Sequence, residues 1–563
     1  MKRFILLLLV GTLVTCKQRP LPYAVKAPVI ADSGMVVSAH PLASEVGVRI
    51  LRNGGNAVDA AIATQFALAV VHPAAGNLGG GGFMVYREHA GSVATLDYRE
   101  SAPAAAFTEM FLSADAEVVA GLSEDSQLAS GCPGSVAGMW EAHQKFGTLP
   151  WRDLVTPAIE LALNGFPLTE KEASGLNSIQ SALKANNTIQ PLHLLRDHWK
   201  SGDTLILEDL GHTLERIRDN GRDGFYKGTT AELIVAEMQR GNGLISREDL
   251  ENYRSVWRDP VTAFYKDFKI ISMAPPSSGG VALIQLLKSI EPFPVKSWGH
   301  NDVRTVHLFT EAERRVYADR AVHLGDPDFY EVPAGKLMNV SYIKERMSSF
   351  DPSRATPSTS VAAGAIPGHE SDQTTHLSVV DAMGNAVAVT TTLNDSYGNK
   401  IVVGGAGFLL NNEMDDFSLK PGHPNMYGAI GGEANKILPR KRMLSSMTPT
   451  IVERNGKLFM VVGTPGGTTI ITSVFQTIVN VVEHGMTMQE AVSARRIHSQ
   501  WLPDEVVAEE YALSDESIAA LERLGHRIVR RGNFGRVDAI LVREDGRLEG
   551  GADPRGDDTA TGY

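Results

Sequence analysis

The chain has 563 residues, 43% hydrophobic and 21% charged, which is the balance of a large globular protein and excludes a disordered or fibrous one. Acidic side chains outnumber basic ones, 65 to 53, for a formal charge of −12, and this argues against a general nucleic-acid binder. Two cysteines, Cys16 and Cys132, exclude a disulfide framework or a thiolate metal cluster, and no long apolar run after the N-terminal one suggests a polytopic membrane protein.

Lys2 and Arg3 precede an apolar run from Phe4 to Val14 broken only by Gly11 and Thr12. A basic start before a short apolar stretch predicts a secretory signal. Leu13-Val14-Thr15-Cys16 resembles a bacterial lipobox, with Thr15 where a smaller residue is usual. Residues 1–16 are therefore expected to be a signal peptide or lipoprotein signal, the mature chain exported to the periplasm, and Cys16 a candidate for a lipid anchor.

Asn56 to Val71 lacks Gly and Pro and predicts a buried helix, stopped at His72-Pro73. Four glycines, 79–82, then lead into a short strand, Phe83 to Tyr86. With no Gly-Lys-Ser/Thr after them, they predict close backbone packing rather than a phosphate cradle. From about 110 to 345, amphipathic helices alternate with polar turns, most clearly at Leu233 to Met238 and Val306 to Leu324. Pro275-Pro276-Ser277-Ser278-Gly279-Gly280 forms a loop before the apolar helix Val281 to Ile290. The end of this region, about 351–373, turns to Ser, Thr, Pro, Ala and Gly and reads as a flexible, accessible segment.

Strands follow abruptly. Thr374 to Asp381 and Ala386 to Leu393 alternate and predict a hairpin. A three-residue loop over 383–385 places Thr374 opposite Asn394 and His376 opposite Thr392, all on one face. A two-residue loop puts Thr392 and Asn394 on the other face. Leu458 to Val462 is a further strand, and Gly463-Thr464-Pro465-Gly466-Gly467 carries it into a helix with a stripe at Ile470, Val474, Ile478 and Val482.

The junction at Thr374 carries the chemistry. A cut between Gln373 and Thr374 gives Thr374 both a hydroxyl and an α-amine of pKa about 7.7–8.0, nucleophile and base in one residue. Without the cut it is a strand threonine after a loop. Gly466 and Gly467, where a strand meets a helix, offer N–H groups to an oxyanion. Ser445 and Ser446 can cap or turn the chain. Glu413, Asp415 and Asp416 can form a solvated acidic turn or hold a cation, but no His or Cys accompanies them at ligand spacing, so neither metal nor other cofactor is expected.

Several segments together resemble the γ-glutamyltransferase (γ-glutamyltranspeptidase, glutathione hydrolase) family. They are 76–84, 96–100, 275–280, 374–381, 409–417, 444–449 and 464–467, within a span from about Ala31 to Tyr563. The resemblance implies an α/β fold, the four-layer α-β-β-α sandwich of N-terminal-nucleophile hydrolases. It further implies self-cleavage before Thr374 into a large chain, 17–373, and a small one, 374–563, which pair as a heterodimer. Thr374 is then the nucleophile, Thr392 orients it, and Gly466 and Gly467 form the oxyanion hole. Arg99, Ser445 and Ser446 match the groups that hold a substrate α-carboxylate; Asn394, Glu413 and Asp416 match those that hold its α-ammonium. The family has Gln or Glu at position 413, and Met443 stands where proline is common. Pro421 to Gly432, with Tyr427, resembles a lid over the substrate.

A γ-glutamyl group bears carboxylate and ammonium on one carbon, so a cationic fork beside an acidic patch suits it. The expected partners are small γ-glutamyl compounds, such as glutathione, and amino-acid or dipeptide acceptors. Two other readings remain at this stage. A cephalosporin acylase of the same fold would take a glutaryl group, which has no ammonium for Asn394, Glu413 and Asp416. A non-catalytic exported amino-acid or peptide binder would need no cut.

Overall fold

β-branched residues alternating with smaller or polar ones build two antiparallel sheets of seven strands each in the computed structural model, which describes residues 25–361, 374–420, 426 and 432–563. Residues 1–16 with Cys16, Gln373 and Tyr427 lie outside the described residues. One sheet runs Thr559–Gly562, Met35–Ser38, Thr375–Val380, Ala386–Thr392, Gly81–Arg87, Val93–Tyr98, Val256–Arg258. The other runs Val29–Ala31, Leu548–Ala552, Asp538–Val542, Lys457–Gly463, Thr450–Arg454, Phe268–Ser272, Val261–Tyr265. Both sheets mix strands from before and after residue 374.

Period-two alternation decides which layer each side chain enters. Val37, Val85, Val380 and Ala388 of the first sheet meet Ile271, Ile451, Val461 and Ile540 of the second in the core between them. The opposite face of the first sheet, with Val36, Leu377, Val379 and Val389, packs beneath helix Ala57–Val71. The outer face of the second, with Ile270, Val452 and Val462, packs beneath helices Gly279–Ile290, Val303–His323 and Thr469–Val482. The order is α-β-β-α. Each fully buried branched side chain in these layers contributes about 1.5–3 kcal/mol.

The apolar stretch from Asn56 becomes a helix buried along its whole length, with Asn56 as N-cap and Asp59 completing a capping box. The four glycines serve close packing: a Cβ on Gly80 would overlap the Thr392 carbonyl, and one on Gly82 that of Thr390. Among the described residues no helix is long and apolar enough to cross a membrane.

Two expectations need correction. The hairpin loop sits one residue earlier than the spacing suggested: Val380 faces Ala386, His376 faces Thr390, and Asp381 N–H donates to Asn385 O at 3.0 Å. The reason is Gly384, whose φ of +84° takes the left-handed last place of the loop. The shift of register preserves parity, so Thr374, His376, Thr390 and Thr392 still share the face between the sheets. The second correction concerns Thr356 and Ser358 in the segment expected to be flexible and accessible, which are anchored rather than free, while 351–354, 357, 359 and 360 are exposed. Ser358 accepts from Arg314 Nε at 2.9 Å and from Trp501 Nε1 at 3.0 Å, and Thr356 Oγ1 donates to Glu311 at 2.6 Å. These two hydroxyls serve buried charges instead of water.

Asp381 ties the hairpin to the outer helix. Its carboxylate accepts from Met383 N and Asn385 N, each at 2.9 Å, from Asn385 Nδ2 at 2.8 Å, and from Ala57 N at 2.9 Å at the helix N-terminus. Asp381→Ala is expected to lower stability by about 3 kcal/mol in urea denaturation, because four donors lose a charged acceptor. A loss below about 1 kcal/mol would show that the loop holds without it.

Candidate active site

Thr374 precedes strand Thr375–Val380 and is 6% exposed. Its Oγ1 donates to Thr392 Oγ1 at 3.4 Å, and Thr392 Oγ1 accepts from Asn394 N at 2.8 Å. Asn77, in the glycine-rich segment, steadies this strand end. Its Nδ2 donates to Thr392 O at 2.9 Å, and its Oδ1 accepts from Ser135 Oγ at 2.6 Å. His376 points into the same layer, with Nδ1 2.8 Å from Thr390 Oγ1 and Nε2 3.1 Å from Ser378 Oγ. Burial lowers its pKa to about 3, so it is neutral. Gly463 lies against this ring, and any Cβ there would overlap it. That contact brings the second sheet, and the turn after Gly463, to the neighbourhood of Thr374.

The turn has two left-handed residues, Gly466 at φ +135° and Gly467 at +53°. Thr469 N–H and Oγ1 donate to Gly466 O at 2.9 and 2.6 Å, starting helix Thr469–Val482. The N–H groups of Gly466 and Gly467 have no hydrogen-bond partner among the described residues. They are available, at a helix N-terminus, to a negative oxygen.

Arg99, 1% exposed, ends strand Val93–Tyr98 and reaches Glu413 through Nη1 at 2.7 Å and Asp416 through Nη2. Nη1 also lies 3.5 Å from Glu100, while Nε and Nη2 donate to Met443 O and Leu444 O at 3.4 and 3.3 Å. The cationic fork and the acidic patch, expected side by side, are thus one ion-paired cluster, with the fork engaged by carboxylates. Burial opposes the guanidinium charge, but Glu413, Glu100 and Asp416 outweigh it and raise the Arg99 pKa. Three carboxyls share that one cation. Burial pushes Glu413 well up, Asp416 up and Glu100 to about 7, with Arg99 pulling each back. Neighbouring Asp415 is separate: it accepts from Ser123 Oγ at 2.6 Å and Met426 N at 2.8 Å, and burial takes it to about 7.

Asn394 has a left-handed φ of +74° and donates through Nδ2 to Asn412 O at 3.0 Å, linking the Thr392 strand end to the acidic segment. Ser445 and Ser446 follow in the loop that Arg99 touches. Ser445 Oγ accepts from Met447 N at 3.1 Å and Ser446 Oγ from Arg320 Nη2 at 2.8 Å. The structure therefore gathers Thr374, Thr392, Asn394, Arg99, Glu413, Asp416, Ser445 and Ser446 through successive contacts, with the Gly466–Gly467 turn joined through Gly463 and His376.

Four supporting residues had no assigned role in the sequence reading. Asn77 and Glu100 lie inside the quoted motifs 76–84 and 96–100. Asn411, inside 409–417, accepts from Gly131 N at 2.8 Å and donates to Gly79 O at 2.7 Å. For Asn77 an amide amid glycines was the available signal, and for Glu100 and Asn411 their place inside a quoted motif. Arg320 lies on an amphipathic helix outside every quoted motif, and nothing local marks it.

A family model described as gamma-glutamyltranspeptidase matches residues 43–563. The chain is 46% identical to the "Glutathione hydrolase proenzyme" of Escherichia coli (strain K12), over 97% of this chain and 95% of that protein. A cephalosporin acylase from Bacillus halodurans shares the fold at a TM-score of 0.83 and 25% identity, covering 98% of this chain and 99% of its own. A chain of Helicobacter pylori gamma-glutamyltranspeptidase is 42% identical at a TM-score of 0.57, covering 62% of this chain and 99% of its own. With the α-β-β-α layers and the Thr374 cluster already in place, these likenesses establish that the chain belongs to the gamma-glutamyltranspeptidase family.

Proposed function

We propose that this protein is a γ-glutamyltransferase with glutathione hydrolase activity, that it matures by cleavage between Gln373 and Thr374, and that Thr374 is its nucleophile. The observation that carries this reading is the contact chain from the Thr374–Thr392 hydroxyl pair through Asn394 to Arg99, Glu413 and Asp416. After the cut, residues 17–373 and 374–563 stay together, because each sheet interleaves strands of both. The Thr374 Oγ attacks the γ-glutamyl amide carbonyl while the α-amine takes the hydroxyl proton. Thr392 holds the attacking oxygen, and the Gly466 and Gly467 amides receive the oxyanion. The amine then gives the proton to the departing amine, leaving a γ-glutamyl ester. Water or the amine of an amino acid or dipeptide opens that ester and restores the Thr374 hydroxyl.

Recognition of the donor follows from charge exchange. The α-ammonium, with Asn394 nearby, takes the place of Arg99 against Glu413 and Asp416. The α-carboxylate is offered to the released guanidinium and to the Ser445 and Ser446 hydroxyls. The α-carbon of the donor brings one cation and one anion together, so the net charge of the site is unchanged. Tyr427 is proposed to close over the bound donor. Lys2, Arg3 and the apolar run to Val14 support export to the periplasm, with Cys16 as the proposed site of a lipid anchor.

A glutaryl acylase is supported by likeness to acylases, in fold at 25% identity and in sequence at 35% to the "Acylase ACY 1 proenzyme" of Pseudomonas sp. (strain SE83), whereas Glu413 and Asp416 suit an ammonium that glutaryl lacks. Purified enzyme is expected to turn over L-γ-glutamyl-p-nitroanilide with kcat/KM at least about 100-fold above glutaryl-p-nitroanilide, about the worth of one buried charge-assisted contact. A preference for the glutaryl substrate would reverse the assignment.

A further inference from the structure

Arg320 is a buried cation with no carboxylate of its own. It lies near the end of helix Val303–His323 and is 8% exposed. Its Nε donates to Ser278 Oγ at 2.9 Å and its Nη2 to Ser446 Oγ at 2.8 Å, and it forms no ion pair among the described residues. Ser278 in turn holds the serine pair from the other side, its N–H and Oγ each donating to Ser445 O at 2.7 Å. Asp416 feels the charge of Arg320, but its carboxylate is engaged by Arg99. One helical turn earlier, the Tyr317 hydroxyl donates to Thr468 O, next to the Gly466–Gly467 turn. This helix therefore braces the oxyanion turn and the serine pair together.

The hydrogen count gives Arg320 a direction of action. A guanidinium only donates, so Ser446 Oγ accepts from it and its single hydrogen is left to point elsewhere. Ser445 Oγ likewise accepts, from Met447 N. Neither hydroxyl donates to a protein group among the described residues. Two neighbouring hydroxyls with a hydrogen to give, one of them polarised by an adjacent cation, present a socket for an anion. Arg99 differs: it is already ion-paired with Glu413 and Asp416.

We propose that Arg320 is a positioning residue that fixes and polarises Ser446 and adds, beside the released Arg99, a second positive charge for the donor's α-carboxylate. The inference rests on the γ-glutamyl reading and adds a specificity residue to it. Its action is on carboxylate binding and not on the chemistry at Thr374.

The test uses the purified two-chain enzyme, L-γ-glutamyl-p-nitroanilide as substrate, and two competitive inhibitors. L-glutamate carries the α-carboxylate; 4-aminobutanoate keeps the ammonium and chain but lacks it. In Arg320→Gln, KM and the L-glutamate Ki are expected to rise about 10- to 100-fold, with kcat within about 3-fold and the 4-aminobutanoate Ki within about 2-fold. Arg320→Lys, which keeps the charge, is expected to recover at least about half of that loss on a logarithmic scale. Equal rises for both inhibitors, or no rise for L-glutamate, would overturn the proposal. Should Arg320→Gln fail to mature, Ser278→Ala and Arg320→Lys carry the test. Each is expected to raise the L-glutamate Ki about 2- to 5-fold and leave 4-aminobutanoate unchanged, and an unchanged L-glutamate Ki in both overturns it. Absence of turnover by the unaltered enzyme would instead sink the γ-glutamyl reading itself.

Discussion

Replacing Thr374 by alanine is expected to leave one uncut chain with kcat at least about 100,000-fold below that of the unaltered enzyme, the scale of removing a nucleophile that works with its own base. The fold should survive. Thr374 makes a single 3.4 Å hydroxyl contact with Thr392 among its described hydrogen bonds, and losing one such bond costs about 1 kcal/mol. A denaturing gel and a thermal melt on one sample separate the two effects: one band and a nearly unchanged Tm are expected. Thr374→Ser keeps the hydroxyl and amine and should still cut and turn over, more slowly. Two bands from the alanine variant would mean that another residue starts the scission.

The second large effect is at Arg99. Arg99→Met removes the cation that pairs with both Glu413 and Asp416 while keeping much of the side-chain volume. Glu413 is completely buried, so its carboxyl loses its ion partner without gaining water. Stability should fall by about 3–5 kcal/mol at neutral pH, and kcat/KM for L-γ-glutamyl-p-nitroanilide by about 1,000-fold, as carboxylate and ammonium recognition fail together. The pH dependence has a definite sign. Arg99 pulls down the pKa of both Glu413 and Asp416 against burial, so its removal raises both further above their unfolded values. Groups with raised folded pKa values give stability at low pH that is lost as pH rises through those values. The Tm gap between Arg99→Met and the unaltered enzyme should therefore be smaller near pH 5 and widen toward pH 8. A gap independent of pH would mean that Arg99 contributes packing and not charge.

What the sequence discloses depends on the range of the physics involved. The buried helix after Asn56 was legible from an unbroken apolar run without Gly or Pro, and the strands at 374–392 from their alternation, both of them local signals. Parity alone put Thr374 and Thr392 on a common face even with the loop misplaced by one residue, since Gly384 could take the left-handed position at the end of the loop as readily as within it. Reading the segment from 351 as accessible missed Thr356 and Ser358, because hydroxyl-rich composition usually means solvation, whereas these two answer Glu311, Arg314 and Asp504. Arg99, Glu413 and Asp416 were singled out through motifs, but their direct pairing spans more than 300 residues of chain, and no local pattern encodes such a contact. Arg320 shows the same limit more sharply, because its partners Ser278 and Ser446 come from two distant loops.

The central claim is the liberation of Thr374 as an N-terminus. N-terminal sequencing of the smaller chain from purified, active enzyme tests it most directly. Thr-Thr-His-Leu is expected as the first four residues. A different N-terminus, or full activity in a preparation containing only uncut chain, would contradict it.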